Sequence, residues 1–165
     1  MLRLTLVRHA KSSWDDPGAS DFERPLNARG KRDAPVMALR VSSLRRLPDR
    51  LVSSTALRAI STARVFAERL GVAEDDIAMD RRIYDASRST LIDVVRSLPA
   101  ESRHTILFGH NPGLSELSNW LATCPFADMP TCAVASFELQ AAEWREVDTG
   151  CGRLARYFFP KDGDS

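Results

Sequence analysis

The apolar residues of this chain alternate between short continuous runs and longer stretches with helical spacing. The continuous runs, which predict buried strands, are residues 2–7, 50–53 and 105–108. The stretches with helical spacing are residues 28–47, 56–70, 90–98 and 114–122. Strands that alternate with helices in this way predict a three-layer α/β/α sandwich around a mostly parallel central sheet. We expect the whole chain, residues 1–165, to form this one domain.

The boundaries of several predicted elements coincide with residues that start or stop helices. Asn27 is suited to cap the helix that starts at residue 28, and Pro35 is expected to kink or break that helix. Gly71 is suited to end the helix of residues 56–70. The remaining predicted strands are residues 77–79, 134–139, 144–147 and 153–159, and we expect residues 134–139 and 144–147 to form a hairpin.

The charge of the chain is nearly balanced, with 23 lysines and arginines against 22 acidic residues. No net field therefore favours nucleic acid or membrane as a partner, and any anion must be bound by a local group of charges. The apolar run at residues 1–6 is too short for a signal peptide, and no run approaches the roughly 18 residues that cross a bilayer. We expect a cytoplasmic monomer that binds neither nucleic acid nor membrane.

The cysteines and histidines lack the spacing of a metal site. The three cysteines, Cys124, Cys132 and Cys151, form no C-x-x-C pair. We interpret them as buried or half-exposed thiols in a reducing compartment rather than as zinc ligands or a redox pair. The chain also has no carboxylate cluster or H-x-x-H segment, so we expect neither a metal nor a cofactor.

Polar residues that suit phosphate chemistry follow three of the predicted strands. Arg8-His9 ends the first strand, Arg58 follows the second near a helix start, and His110 follows the strand at residues 105–108. The carboxyl ends of parallel strands form one crevice. Arginine binds phosphate oxygens through two donors, and a helix N-terminus adds backbone donors. A lone histidine at a strand end is more often structural, but the convergence of these residues predicts an anion pocket that contains a nucleophile.

Three segments resemble the motifs of a known family. Leu6-Val7-Arg8-His9-Ala10-Lys11-Ser12 resembles the R-H-G motif of the histidine phosphatase superfamily, Ser54 to Arg58-Ala59 and Thr62-Ala63 resemble its second arginine motif, and Gly109-His110-Asn111 resembles its second histidine motif. Asp21-Phe22-Glu23-Arg24-Pro25-Leu26 and the chain length resemble the SixA-type phosphohistidine phosphatases. The resemblance extends from about residue 2 to residue 139. Ala10 departs from the commoner glycine, and a slightly altered backbone is expected there.

The resemblance implies a role for each matched residue. His9 would be the nucleophile, and Arg8, Arg58 and His110 would hold the phosphoryl oxygens. Arg24 would contact the substrate, unless it is a solvated loop arginine. Asn111 would either donate a further hydrogen bond to the substrate or fix the turn before Pro112.

The general acid is the least defined part of the predicted site. In many members of the superfamily a glutamate lies between the two histidine motifs, but residues 82–87 contain none. Asp21 is the preferred position because it matches an aspartate of the SixA type, and Asp85 is the alternative.

The nucleophile needs no metal in this prediction. A neutral imidazole with a pKa of about 6.5 can attack phosphorus without one.

Three functions are compatible with these residues. The first is a phosphatase for phosphohistidine on a protein partner or for another phosphoramidate. The second is a phosphatase for a small phosphomonoester that uses the same site, and the third is a non-catalytic phosphate-binding module. No long insertion lies between Arg58 and His110, which favours an open pocket that a protein surface can reach.

Two further residues carry expectations. We expect His104 to be an exposed structural histidine, and Trp14 is a candidate for lining the site entrance.

Overall fold

The computed structural model describes residues 1–160 and shows a six-stranded sheet with helices on both faces. The strands are β1 (Leu2–Arg8), β2 (Arg50–Ser53), β3 (Ala78–Met79), β4 (His104–Gly109), β5 (Val134–Leu139) and β6 (Gly152–Phe158). The helices are α1 (Ala28–Ser42), α2 (Leu57–Leu70), α3 (Arg88–Arg96) and α4 (Gly113–Leu121), and a 3₁₀ turn lies at Asp21–Glu23. Within residues 1–160, no helix is long and apolar enough to cross a bilayer.

The strand order is β3-β2-β4-β1-β5-β6. The pairs β3–β2, β2–β4 and β4–β1 are parallel, whereas β5 is antiparallel to β1 and β6 is antiparallel to β5. Successive residues of β1 face opposite sides of the sheet: Leu6 packs with the core around α3 and α4, and Val7 packs with the core around α1 and α2. The predicted three-layer α/β/α sandwich with a mostly parallel sheet is confirmed.

The helix that was predicted for residues 28–47 ends earlier, at Ser42. Its start is as expected, because the Asn27 side chain accepts a hydrogen bond from Gly30 N at 2.8 Å. Pro35 lies inside α1 and does not end it. The end comes where the hydroxyls of Ser42 and Ser43 bond back to backbone carbonyls three residues earlier, since serine competes in this way with continued helix.

The predicted strand at residues 144–147 and its hairpin with residues 134–139 are wrong. Residues Trp144–Glu146 form a 3₁₀ turn, and β5 pairs instead with β6. Trp144 and Val147 are both buried, and their spacing of three residues matches the period of a 3₁₀ turn rather than the alternation of a strand. The Trp144 indole N–H donates to Ser102 O at 2.8 Å, which anchors this turn to the core.

His104 is not exposed, contrary to the prediction from sequence. It is the first residue of β4, a strand that lies between β2 and β1, and only 3% of its surface is accessible. Its Nε2 lies 2.8 Å from Thr5 Oγ1, which in turn lies 3.0 Å from Ser136 Oγ. Burial is the main reason why the pKa of His104 falls to about 4. The position of the strand within the sheet, which the sequence leaves open, determines this burial.

The buried histidines are expected to make the protein sensitive to acid. Burial lowers the pKa of His9 to about 3 and the pKa values of His104 and His110 to about 4. Between these values and about 6.5, the unfolded chain binds more protons than the folded chain, so the free energy of unfolding falls as the pH is lowered through this window. Each histidine contributes at most about 1.4 kcal/mol per pH unit to this slope.

We expect His104→Gln to reduce the slope of unfolding free energy against pH, because it removes one of the three titrating groups and keeps a polar side chain beside Thr5. Urea unfolding at pH 7, 6 and 5 for both proteins measures this slope. An unchanged slope would contradict the prediction.

Candidate active site

The residues that follow β1, β4 and β2 meet at one edge of the sheet. These strands are parallel neighbours, and backbone hydrogen bonds continue the ladder beyond them, from His9 N to Gly109 O and from Ser54 N to Phe108 O, each at 3.0 Å. The His9 and His110 rings lie with their centroids 5.2 Å apart. The convergence of strand ends expected from the sequence is therefore present in the structure.

The carbonyl oxygen of Ala10 fixes the orientation of the His9 ring. Its Nδ1 lies 2.7 Å from the carbonyl oxygen of Ala10. Because a carbonyl only accepts hydrogen bonds, Nδ1 carries the ring proton and Nε2 keeps its lone pair. Burial is the largest of the effects that lower the pKa of His9 to about 3, so the imidazole is neutral at physiological pH. Arg58 Nε donates to the Nε2 atom at 3.3 Å.

Thr62 connects the segment that follows His9 to α2. Its Oγ1 accepts a hydrogen bond from Ala10 N at 3.0 Å, and its hydroxyl donates to Arg58 O at 2.8 Å. The resemblance includes Thr62 among the motif residues without assigning it a contact. The spacing of four residues between Arg58 and Thr62, one helical turn, was the available signal.

Arg58 and Asp21 form the central ion pair of the site. Arg58 lies in the first turn of α2 and is 6% exposed. Its Nη1 donates to Asp21 O at 2.6 Å, and its Nη2 donates to Asp21 Oδ2 at 3.0 Å. Asp21 also accepts from the Tyr84 hydroxyl at 2.7 Å and from Arg24 Nε at 3.2 Å. The Tyr84 hydrogen bond, followed by Arg58 and Arg24, lowers the pKa of Asp21 to about 2.

These contacts distinguish the two aspartates that were considered as general acids. Asp21 lies in the site, whereas Asp85 is exposed and makes no hydrogen bond or ion pair within residues 1–160. With its present partners Asp21 is ionised, so it carries no proton that an acid could give. Tyr84 lies within residues 82–87, the segment that contains no glutamate, and its contact with Asp21 was not predicted.

Arg24 is a buried residue rather than a solvated loop arginine. It is 7% exposed, and its Nη1 donates to Ser12 Oγ at 2.7 Å. The guanidinium lies 3.5 Å from the centroid of the Trp14 ring, which is itself 73% exposed. Through Asp21, Arg24 is connected to Arg58. Trp14 therefore covers one face of the Arg24 guanidinium.

Arg8 and Asn111 converge on the carbonyl oxygen of Met129. Arg8 Nη1 donates to this oxygen at 2.8 Å and Asn111 Nδ2 donates to it at 2.9 Å. Asn111 Oδ1 also accepts from both the backbone N–H and the hydroxyl of Ser115 at the start of α4. Both ends of the Asn111 amide are thus used within the protein, which favours its role in shaping the turn before Pro112.

His110 has one ring nitrogen with a partner and one without. Its Nε2 lies 2.8 Å from Ser54 Oγ, whereas its buried Nδ1 has no hydrogen-bond partner within the described residues. The Tyr84 and His110 rings pack edge to face, with centroids 5.6 Å apart. Burial, followed by the charge of Arg58, lowers the pKa of His110 to about 4.

Comparison with known proteins identifies the family. The sequence profile of the histidine phosphatase superfamily (branch 1) matches residues 4–105, a range that includes Arg8, His9 and Arg58. The chain belongs to this superfamily. An uncharacterised chloroplastic protein of Arabidopsis thaliana is 30% identical to this chain over 153 residues, which cover 88% of this chain and 70% of that protein.

Solved structures of SixA proteins share this histidine phosphatase fold. The structure assigned as the phosphohistidine phosphatase SixA of Agrobacterium tumefaciens is 27% identical, with a TM-score of 0.80 over 96% of this chain and 98% of that chain. A protein histidine phosphatase SixA complexed with tungstate is 20% identical, with a TM-score of 0.82 over 98% and 99% of the two chains. The family and these likenesses support phosphatase activity for this chain.

Among residues 1–160 of this histidine phosphatase, no group of three or more histidine, cysteine, aspartate or glutamate side chains is placed to hold a metal ion. The three cysteines are free thiols, with Cys132 buried and the other two half-buried, as predicted. Burial raises the pKa values of Cys124 and Cys132, so neither is an activated thiolate.

Proposed function

We propose that this protein is a metal-independent phosphatase in which His9 is the nucleophile, and that its substrate is phosphohistidine on a protein. The observation that carries the proposal is the hydrogen bond from His9 Nδ1 to Ala10 O, which leaves the Nε2 lone pair next to Arg58. A neutral imidazole in this orientation can attack phosphorus at physiological pH.

The proposed reaction has two transfer steps. In the first, a bond forms between His9 Nε2 and phosphorus while the bond from phosphorus to the leaving group breaks, and the leaving group takes up a proton. In the second, water attacks phosphorus and the N–P bond breaks. Orthophosphate is released, and the imidazole of His9 is regenerated. Arg8, Arg58 and His110 stabilise the charge on the phosphoryl oxygens in both steps.

Asp21 is proposed as the group that protonates the leaving group. A bound phosphoryl group would compete with Asp21 for Arg58 and bring negative charge close to its carboxylate. Both effects raise the pKa of Asp21 above the value of about 2 that its present partners give it. The carboxyl could then take up a proton and transfer it, and Tyr84 would keep it oriented.

The openness of the site supports a protein substrate. The Asp21 side chain is 50% exposed, Phe22 is 39% exposed and Trp14 is 73% exposed. These residues border the site, so a phosphorylated side chain on another protein can reach it. The names of the SixA proteins point to phosphohistidine. An N–P bond also suits a site whose carboxyl is largely ionised, because neutral imidazole is a good leaving group and needs little help from an acid.

A comparison of substrates in the presence of EDTA tests this function. We expect hydrolysis of a histidine-phosphorylated protein and of phosphoramidate to be faster than hydrolysis of serine phosphate and simple alkyl phosphates, with tungstate as a competitive inhibitor. Loss of activity in EDTA that a divalent ion restores would overturn the metal-independent mechanism. If alkyl phosphates were the fastest substrates, the protein would instead be a small-molecule phosphatase that uses the same residues.

A further inference from the structure

Ser54 is a buried residue that links β2 to the second histidine of the site. Its side chain is fully buried, and its Oγ lies 2.8 Å from His110 Nε2. The same Oγ accepts a hydrogen bond from Ala56 N at 3.2 Å. These are the only two partners of the Ser54 hydroxyl within residues 1–160.

The hydrogen bonds around Ser54 are all satisfied in only one arrangement. A serine hydroxyl has one hydrogen to donate. If His110 Nε2 carried a proton and donated it to Ser54, the hydroxyl hydrogen of Ser54 would be buried without an acceptor, which is costly. If Ser54 donates to Nε2, the hydroxyl accepts from Ala56 and donates to His110. The proton of the neutral imidazole then lies on Nδ1.

We propose that Ser54 is a positioning residue that fixes His110 as the neutral Nδ1–H tautomer, so that His110 presents one uncharged N–H donor to an oxygen of the bound phosphoryl group. The buried Nδ1 has no partner within the described residues, which leaves this N–H available. Only the identity of the acceptor rests on the proposed function. The tautomer follows from the contacts of Ser54.

The charges around His110 favour the neutral ring. Burial has the largest effect, and the positive charges of Arg58, Arg8 and Arg24 act in the same direction, while Asp21 opposes them. Together they lower the pKa of His110 to about 4. The imidazolium form of His110 is therefore disfavoured at neutral pH in the site before a phosphoryl group binds. The Nδ1–H of a neutral His110 remains a hydrogen-bond donor as the pH rises, whereas an imidazolium ring would lose its extra proton and its positive charge.

The tautomer can be measured directly on the protein with ¹⁵N-labelled histidine. At pH 7, long-range ¹H–¹⁵N correlation spectra are expected to show His110 Nδ1 as a protonated nitrogen and Nε2 as an unprotonated one. Addition of tungstate should shift the Nδ1 resonance. A protonated Nε2, or protonation of both nitrogens, would overturn the proposal. If the tautomer is as expected but tungstate has no effect, the proposed phosphate site is wrong and the role of Ser54 in setting the tautomer stands.

Two serine variants separate this role from a structural one. Ser54→Ala is expected to give a mixture of His110 tautomers and about a 10-fold loss of kcat/KM, the usual scale for one hydrogen bond. Ser53→Ala is the matched control, because Ser53 is equally buried but, within residues 1–160, its hydroxyl bonds only to the backbone oxygen of Ser54. The control should keep both the His110 spectrum and the activity. Equal losses of kcat/KM in the two variants, or an unchanged His110 spectrum in Ser54→Ala, would contradict the proposal. Ser54→Thr keeps a hydroxyl at this position and should therefore give the wild-type spectrum.

Discussion

Replacement of His9 by alanine is expected to reduce turnover by on the order of 10⁴-fold or more, because it removes the atom that would form the bond to phosphorus. Wild-type protein that is mixed briefly with ³²P-labelled substrate and denatured should carry an acid-labile phosphoryl group. The variant should carry none. Autoradiography of the denatured protein, combined with steady-state rates, measures both effects.

His104→Gln provides a control for the His9 variant. It also removes a buried histidine, but this residue contacts Thr5 within the sheet and makes no contact with the site. Its rate and its phosphoenzyme level should match those of the wild type. Substantial turnover by His9→Ala would exclude His9 as the nucleophile, and labelling of His9→Ala would place the phosphoryl group on another residue.

Asp21→Asn is expected to slow phosphomonoesters with poor leaving groups by about 10²–10⁴-fold, the usual contribution of a general acid. An alkoxide needs a proton because its conjugate acid has a pKa near that of water, about 15.7. A phosphohistidine whose other ring nitrogen is protonated releases neutral imidazole, whose conjugate acid has a pKa of about 6.5, so phosphoramidates of this kind should be slowed much less. Rates for a series of substrates, plotted against the pKa of the leaving group, should show a steeper slope for the variant than for the wild type.

The same series includes two further variants that locate the acid. Asp85→Asn is the matched control, since Asp85 is exposed and, within residues 1–160, forms no hydrogen bond or ion pair with His9 or Arg58. Its slope should equal that of the wild type. Tyr84→Phe keeps Asp21 and removes one of its hydrogen bonds, so it should change the slope less than Asp21→Asn. A steeper slope for Asp85→Asn alone would make Asp85 the acid.

The main elements of the fold were predictable because each carries a local signal. The buried runs at β1, β2 and β4 are continuous and short, and α1 and α2 begin or end at Asn27 and Gly71, whose conformations are those that such boundaries require. The turn at Trp144 was not predictable in this way. Its aromatic and β-branched residues favour a strand, and only the burial of Trp144 and Val147 against the core shows the 3₁₀ period.

The sequence by itself determined that this chain has parallel strands with His9, Arg58 and His110 at their carboxyl ends, because the strand pattern and the residues after it are local properties. The tertiary structure decided which atoms of these residues are available for chemistry. Ala10 O accepts a hydrogen bond from Nδ1 of His9, and the Ser54 hydroxyl bonds to Nε2 of His110. Hydrogen bonds from Tyr84 and Arg58 keep Asp21 ionised. These contacts join residues that are up to 63 positions apart, and the burial that sets their pKa values exists only after the strands have paired.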